Sequence, residues 1–312
     1  MKRKMVLGLM LLAGLLLICG CSLKSLKVGF MNKKNEPVKT VEDQQPVVAG
    51  KTTGQVAHEV NNMIDEMVEK INAGDWGQAI TIGEAAYTIT ENVKLANTKN
   101  SPDANLDSLN EKLFETLVEA YDYKNFISGL NPAEIIRYVT VAQAHYRLNP
   151  SEPFKKLALA KVLIDTNNIT EGLKLATEIY NSKERNKDVT DNYAWALYKS
   201  GKKVEAYNIY KIFFLQSETL IQLYHSAVVI EEYDKTLGLV LYKGCEKAGN
   251  NLLVLEPNVH NLSAESYINF IKSSSRKSVN RLLVGGFRID SQYNVNTVQS
   301  VVNSISNLAK SN

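Results

Sequence analysis

Along most of this chain, apolar positions recur with the period of an amphipathic helix. Val60, Met63, Ile64, Met67, Val68 and Ile71 form one stripe. Asn72-Ala73-Gly74-Asp75 breaks it, and Trp76 and Ala79 open a second helix. Similar helix pairs follow, the clearest over 153–184 and 187–216. Two stretches read otherwise. Near the N-terminus, Met5–Ile18 is one unbroken apolar run. Past residue 250 the pattern predicts short strands at 252–255 and 281–289, each followed by a helix.

The two clearest pairs superpose at a fixed offset of 34 residues. Ala160 aligns with Ala194, Leu163 with Leu197, Ile164 with Tyr198 and Asn167 with Gly201. Glu171 aligns with Glu205, Gly172 with Ala206, Ala176 with Tyr210 and Ile179 with Phe213. The period and the string ALYKSGKKVEAYNIYKIF resemble the tetratricopeptide (TPR) helix–turn–helix unit, and INAGDWGQAITIGEAA at 71–86 carries the same turn-and-Ala signature. The resemblance implies a mainly α, right-handed solenoid of helical hairpins over 56–250, in units near 60–93, 109–150, 153–186, 187–220 and 221–250. One hairpin cannot bury its apolar face alone, so such units must stack.

The apolar run at Met5–Ile18 follows Lys2-Arg3-Lys4 and ends at Ile18-Cys19-Gly20-Cys21. It has the length of a signal-peptide core and is short for a membrane span. The ending resembles the bacterial lipobox. That implies a signal peptide over 1–20, cleavage before Cys21, and acylation of Cys21 at the outer face of a membrane. Ser22 permits outer-membrane sorting in an organism with two membranes. Residues 21–55, with Pro37, Pro46, Gly50 and Gly54 among many charges, read as the lipidated Cys and a flexible tether.

Residues 251–312 are expected to form a small α/β unit or a cap on the solenoid. Leu252–Leu255 and Arg281–Ile289 are its strands, Ser263 caps its first helix, and Val298, Val301, Val302, Ile305 and Leu308 space its second. LLVGGF faintly resembles the V-G-x-F stretch of SPOR-type domains, which implies peptidoglycan as a further partner.

Composition changes this picture in two respects. The net charge of +3 is carried by the ends, leaving 56–250 at −6, so nucleic acid is not an expected partner. With Cys19 and Cys21 in the targeting segment, Cys245 is a lone thiol and the fold rests on packing without an intrachain disulfide.

No metal or cofactor is expected. His58, His145, His225 and His260 are scattered, read as surface or loop residues, and no C-x-x-C occurs. Ser274 and Lys277 satisfy S-x-x-K without its companion motifs, so no catalytic role is assigned. Lys272, Arg276, Lys277, Arg281 and Arg288 form a basic run that reads as a solvated face, or as one meeting anionic lipid or wall polymer.

The remaining candidate is the groove that the TPR resemblance implies. It carries over Tyr123, Lys161, Asp165, Asp191, Trp195, Tyr198, Lys199, Gln222, His225 and Glu232. Aromatics beside both signs of charge suit an extended peptide, although Trp195 and Tyr198 equally suit packing between helices. The expected function is therefore a lipid-anchored extracytoplasmic adaptor for an envelope protein or peptide. A peptidoglycan-associated lipoprotein and a solute-binding lipoprotein of an importer stand as alternatives.

Overall fold

The apolar stripes become paired helices. The computed structural model describes residues 53–97, 104–255, 262–289 and 295–311, all within one compact unit, Pro46–Asn312. The signal segment, Cys21, the tether up to residue 52 and His260 lie outside the described residues. Those described form α1 (Thr53–Asn72), α2 (Trp76–Asn97), α3 (Ala104–Ile127), α4 (Pro132–Leu148), α5 (Pro153–Asp165) and α6 (Ile169–Tyr180). They continue as α7 (Lys187–Lys199), α8 (Lys203–Phe213) with a short 3-10 turn, α9 (Leu220–Glu231), α10 (Lys235–Leu255), α11 (Leu262–Val284) and α12 (Val295–Ser311). No helix among them is long and apolar enough to cross a membrane.

Local chemistry sets many of the boundaries. Asn131 accepts from the Glu134 N–H while Glu134 reaches back to the Asn131 N–H, a reciprocal cap placed just before Pro132. Pro153 opens α5, where a missing N–H does no harm. Asn186 caps α7 through the Val189 N–H at 2.9 Å.

The turns within hairpins repeat. In α5–α6 the Asn168 N–H reaches Leu163 O and the Asn167 N–H reaches Ile164 O. In α7–α8 the Lys202 N–H reaches Leu197 O and the Gly201 N–H reaches Tyr198 O. The α1–α2 turn has the same pair of bonds, from Asp75 to Lys70 and from Gly74 to Ile71. Each is a helix end closed by a residue at positive φ. Asn167 (φ 66°) and Gly201 (φ 86°) stand 34 residues apart in the same role. Gly and Asn adopt that conformation with least strain, which explains the alignment of two chemically unlike residues.

Neighbouring hairpins stack so that α5 touches α7 and α7 touches α9, besides each helix from α1 to α10 touching the next in sequence. Small residues make this possible. Gly172 lies against α5, where an added Cβ would fall 2.8 Å from Ile164 Cγ1 and 3.1 Å from Ala160 O. Ala160, Ile164, Ala176 and Ala196 form a small buried cluster joining α5, α6 and α7. On one side of it lies a core built from α1–α5, on the other a core from α7–α12.

The C-terminal segment departs from its expectation. No strand occurs among the described residues. Leu252–Leu255 is the end of α10, which runs on across residue 250, and Arg281–Val284 is the end of α11. Gly285-Gly286 is no strand kink: Gly286 (φ 87°) closes α11, with the Phe287 N–H on Leu282 O. The α/β unit, and with it the likeness of LLVGGF to a glycan-binding strand, is therefore replaced by helices. The physical reason is that four-residue apolar runs suit either structure, and here both continue helices, with Leu282 buried and Leu252 and Leu283 packed against the C-terminal core. Ser263 is also not a cap, since it lies inside α11 and is buried. The helix expected from Val295 to Leu308 is present as part of α12 and packs on α10.

Filling the α5–α6 contact tests this account. Gly172→Leu should lower stability by about 1–3 kcal/mol or more through overpacking. Urea melts should show a lower midpoint at an unchanged slope.

Candidate functional site

Three side-chain pairs join α7 and its neighbour hairpin at the repeat distance. Gln222 Nε2 donates to Asp188 Oδ1 at 2.8 Å, His225 Nδ1 lies 3.0 Å from Asp191 Oδ2, and the Tyr198 hydroxyl donates to Glu232 at 2.7 Å, each across 34 residues. Residue n therefore meets residue n + 34. The spacing that aligned the sequences is also the register in which these helices pack.

Asp191 is the centre of this arrangement. It is buried, and its Oδ1 accepts from the Tyr210 hydroxyl of α8 at 2.8 Å while Oδ2 faces His225 of α9. One carboxylate thus ties three helices, and burial obliges it to keep those partners. Trp195 stacks on the His225 ring, with centroids 4.0 Å apart and planes at 10°, and on Tyr198 at 5.3 Å. The Lys199 ammonium lies 5.9 Å from the Trp195 ring centre. Glu232 takes both the Tyr198 hydroxyl and the Lys203 ammonium, whose hydrogen bond holds its carboxyl below the ordinary carboxylate range. Gln222 is 1 % exposed, and its amide oxygen accepts from the Glu218 N–H. Asp191 and Gln222 are therefore structural in position, whereas Lys199 and Glu232 reach solvent.

Farther along the same face, Lys161 pairs with Asp122 of α3 at 2.6 Å, and Asp122 also accepts from the buried Tyr138 hydroxyl of α4. Burial alone would lower the Lys161 pKa, but the Asp122 and Asp165 carboxylates outweigh it and hold the ammonium above its ordinary value. Asp165 feels the fields of Lys161, Asp122, His225 and Lys199, and its pKa is nonetheless raised, burial among these helices being the largest cause. It keeps solvent contact, so this is a crowded but wet position.

Tyr123 brings this face to α11. Its ring meets Tyr267 edge-on at 6.3 Å, and Phe126, on the same helix, lies 4.3 Å from Tyr267 and 4.7 Å from Phe270. α11 touches α1, α3 and α9 as well as α10. All ten candidate residues thus fall on α3, α5, α7 and α9 or the turn after α9, and contacts run between these helices.

Several participants were not among the candidates. Asp188 lies one repeat before Gln222 and was findable by subtracting the period. Tyr210 stood in the repeat alignment opposite Ala176, but only as a packing position, and Asp122, Tyr138 and Tyr267 carry no periodic signal. The basic run is largely engaged: Arg276 Nε pairs with Glu246 at 2.9 Å, Arg281 makes two bonds of 2.6 Å to Glu231, and Arg288 donates to main-chain carbonyls. His145 is buried rather than a surface residue, and burial lowers its pKa. Cys245 is a free thiol fully buried in the C-terminal core, which pushes its pKa up. Among the described residues no group of three His, Cys, Asp or Glu side chains is placed to hold a metal.

The raised Asp165 pKa gives a pH-dependent test. A carboxyl easier to protonate when folded penalises the fold above its folded pKa, and the penalty fades as pH falls below its unfolded pKa. Asp165→Asn should therefore stabilise the protein at pH ~7 and lose that gain near pH ~3, below the usual aspartate range. Denaturant melts at both values check this. In comparisons with known proteins, the chain matches no family model and no curated sequence.

Proposed function

We propose that this protein is a lipid-anchored extracytoplasmic adaptor of TPR type, acting by binding an envelope protein or peptide and carrying no chemistry of its own. The observation that carries the reading is the ladder at 34-residue spacing between α7 and the next hairpin. Stacked helical hairpins in constant register present one long face, and here that face offers Trp195, Tyr198, Lys199, Glu232 and Asp165. Aromatic surface beside both signs of charge is the chemistry of peptide recognition.

The anchor half of the proposal rests on Ile18-Cys19-Gly20-Cys21 after a short apolar run. Two or more acyl chains on Cys21 would hold the protein at the membrane, since one chain alone binds reversibly. A tether of ~30 residues spans a few tens of Å if it behaves as a random coil, enough to keep the hairpins clear of headgroups.

Intact mass and detergent partitioning of the protein from native membranes test the anchor. A mature chain beginning at Cys21 with added acyl mass, both lost in Cys21→Ala, is expected; an unmodified chain in the membrane fraction refutes it. The binding face is tested by a photocrosslinker in place of Lys199, with Lys174 on α6 as the control position. Adducts should form from 199 and not from 174. They should fall by about tenfold with Trp195→Ala, as loss of an aromatic anchor implies, at unchanged far-UV helicity. Equal crosslinking from both positions would remove the adaptor reading.

A further inference from the structure

The α7–α8 hairpin carries a recess at the end opposite its turn. There the end of α6, the loop before α7, the start of α7 and the end of α8 frame an open cleft of about 670 Å³. Small-molecule sites fall roughly between 300 and 1,000 Å³. None of the ten groove candidates lines this cleft. Ile209, Ile212 and Phe213 of α8 give it an apolar wall, and Ile212 is 58 % exposed there. Its polar lining includes Arg185, Asn186, Asn208 and Gln216.

Arg185 sets the chemistry of the cleft. Its guanidinium lies 4.0 Å from the centre of the Tyr180 ring, and that ring stacks on Tyr193 at 4.2 Å. A guanidinium held by its face keeps its in-plane N–H groups for another partner. Among the described residues Arg185 has no carboxylate within ion-pair distance. The other charges lining the cleft cancel, because Lys187 is paired with Glu218. The carboxamides add further donors. Asn208 Oδ1 accepts from Lys211 and Asn186 Oδ1 from the Val189 N–H, which leaves each NH2 group for other partners. An inorganic anion would engage Arg185 and leave the apolar wall wet. A neutral apolar molecule would cover the wall and strip water from an unpaired cation, which is costly. A ligand with an anionic end next to an apolar group satisfies both.

We infer that the cleft between Tyr180, Arg185 and Ile212 binds an amphipathic carboxylate, with the Arg185 fork taking the two carboxylate oxygens and Ile209, Ile212 and Phe213 receiving the apolar group. Bidentate pairing of this kind is the geometry a planar guanidinium offers best. A peptide C-terminus ending in an aliphatic residue carries this chemistry, and so does a free branched-chain acid. The inference does not rest on the adaptor reading, since the cleft shares no residue with the face of Trp195 and Lys199.

The test uses the full chain in a non-ionic detergent and a fluorescein-labelled pentapeptide ending in leucine with a free carboxylate, read by anisotropy. The acid should bind, and the same peptide as its C-terminal amide should bind about tenfold more weakly, as loss of a charge-assisted pair implies. Arg185→Gln should cost the same factor of about ten, and Arg185→Lys should not restore it, because an ammonium lacks the planar fork. Arg185 is exposed, so both variants should keep the fold, which far-UV helicity checks. Ile212→Ser should weaken the leucine-ended peptide and leave a glycine-ended one unchanged, because only the former reaches the apolar wall. Unlabelled isocaproate separates the two sources. Displacement of the peptide shows that a free acid suffices, and failure to displace it assigns the cleft to peptide termini; either result upholds the carboxylate site. Equal binding of acid and amide overturns the inference, as does Arg185→Gln that binds like the wild type at unchanged helicity. An acid peptide that does not bind at ~1 mM overturns it as well.

Discussion

The Asp191 carboxylate is buried at the junction of three helices, and much of the body's geometry follows from satisfying it. An ionised group removed from water needs partners, and losing one leaves a desolvation penalty of several kcal/mol. Tyr210 and His225 supply them, the first from the same hairpin and the second from the next. That fixes both the pairing of α7 with α8 and the register of α7 against α9. Apolar stripes alone would hold the helices together with less definition, because hydrophobic burial is non-directional. Asp188–Gln222 and Tyr198–Glu232 repeat the same constraint one turn before and two turns after. The close approach that brings these groups within bonding distance depends in turn on the small residues Ala160, Gly172, Ala176 and Ala196.

The same stacking creates an open-ended array, and α11 answers its end effects. Its later half packs on α10, the second helix of the hairpin before it. Its earlier half runs to the first hairpin and bonds Trp76 and Ile71. A chain in which each hairpin touches only its neighbours thereby gains a contact between its two ends. That contact sets α11 beside Tyr123 and Phe126 of α3.

The charges follow a division of labour. Several carboxylates on the stacked helices are paired with cations or hydroxyls of a neighbouring helix, as in Lys161–Asp122 and Lys203–Glu232. The arginines of α11 are spent on Glu231 and Glu246 of the helices beneath it. What remains accessible on the repeat face is mixed in sign, with Asp165, Lys199 and Glu232 near Trp195 and Tyr198.

The sequence by itself determined the helices, their pairing and their register. Period-3.6 stripes, Asn and Gly at equivalent turn positions and an exact offset of 34 residues are local or nearest-neighbour properties, and each was legible without coordinates. It also placed the ten candidate residues on one set of helices, because a repeat projects the same positions to the same face. Tertiary structure alone decided the rest. The short runs at 252–255 and 281–284 suit strand or helix alike, and only the folded chain shows that both are the ends of helices. Which candidates became buried struts, as Asp191 and Gln222 did, depended on hydrogen bonds such as those from the Tyr210 hydroxyl and the Glu218 N–H, which the period does not announce. The contact of Ser263 with Trp76 spans 187 residues and occurs once. A pairing that is neither local nor repeated leaves no pattern in the chain, so only the folded geometry could reveal it.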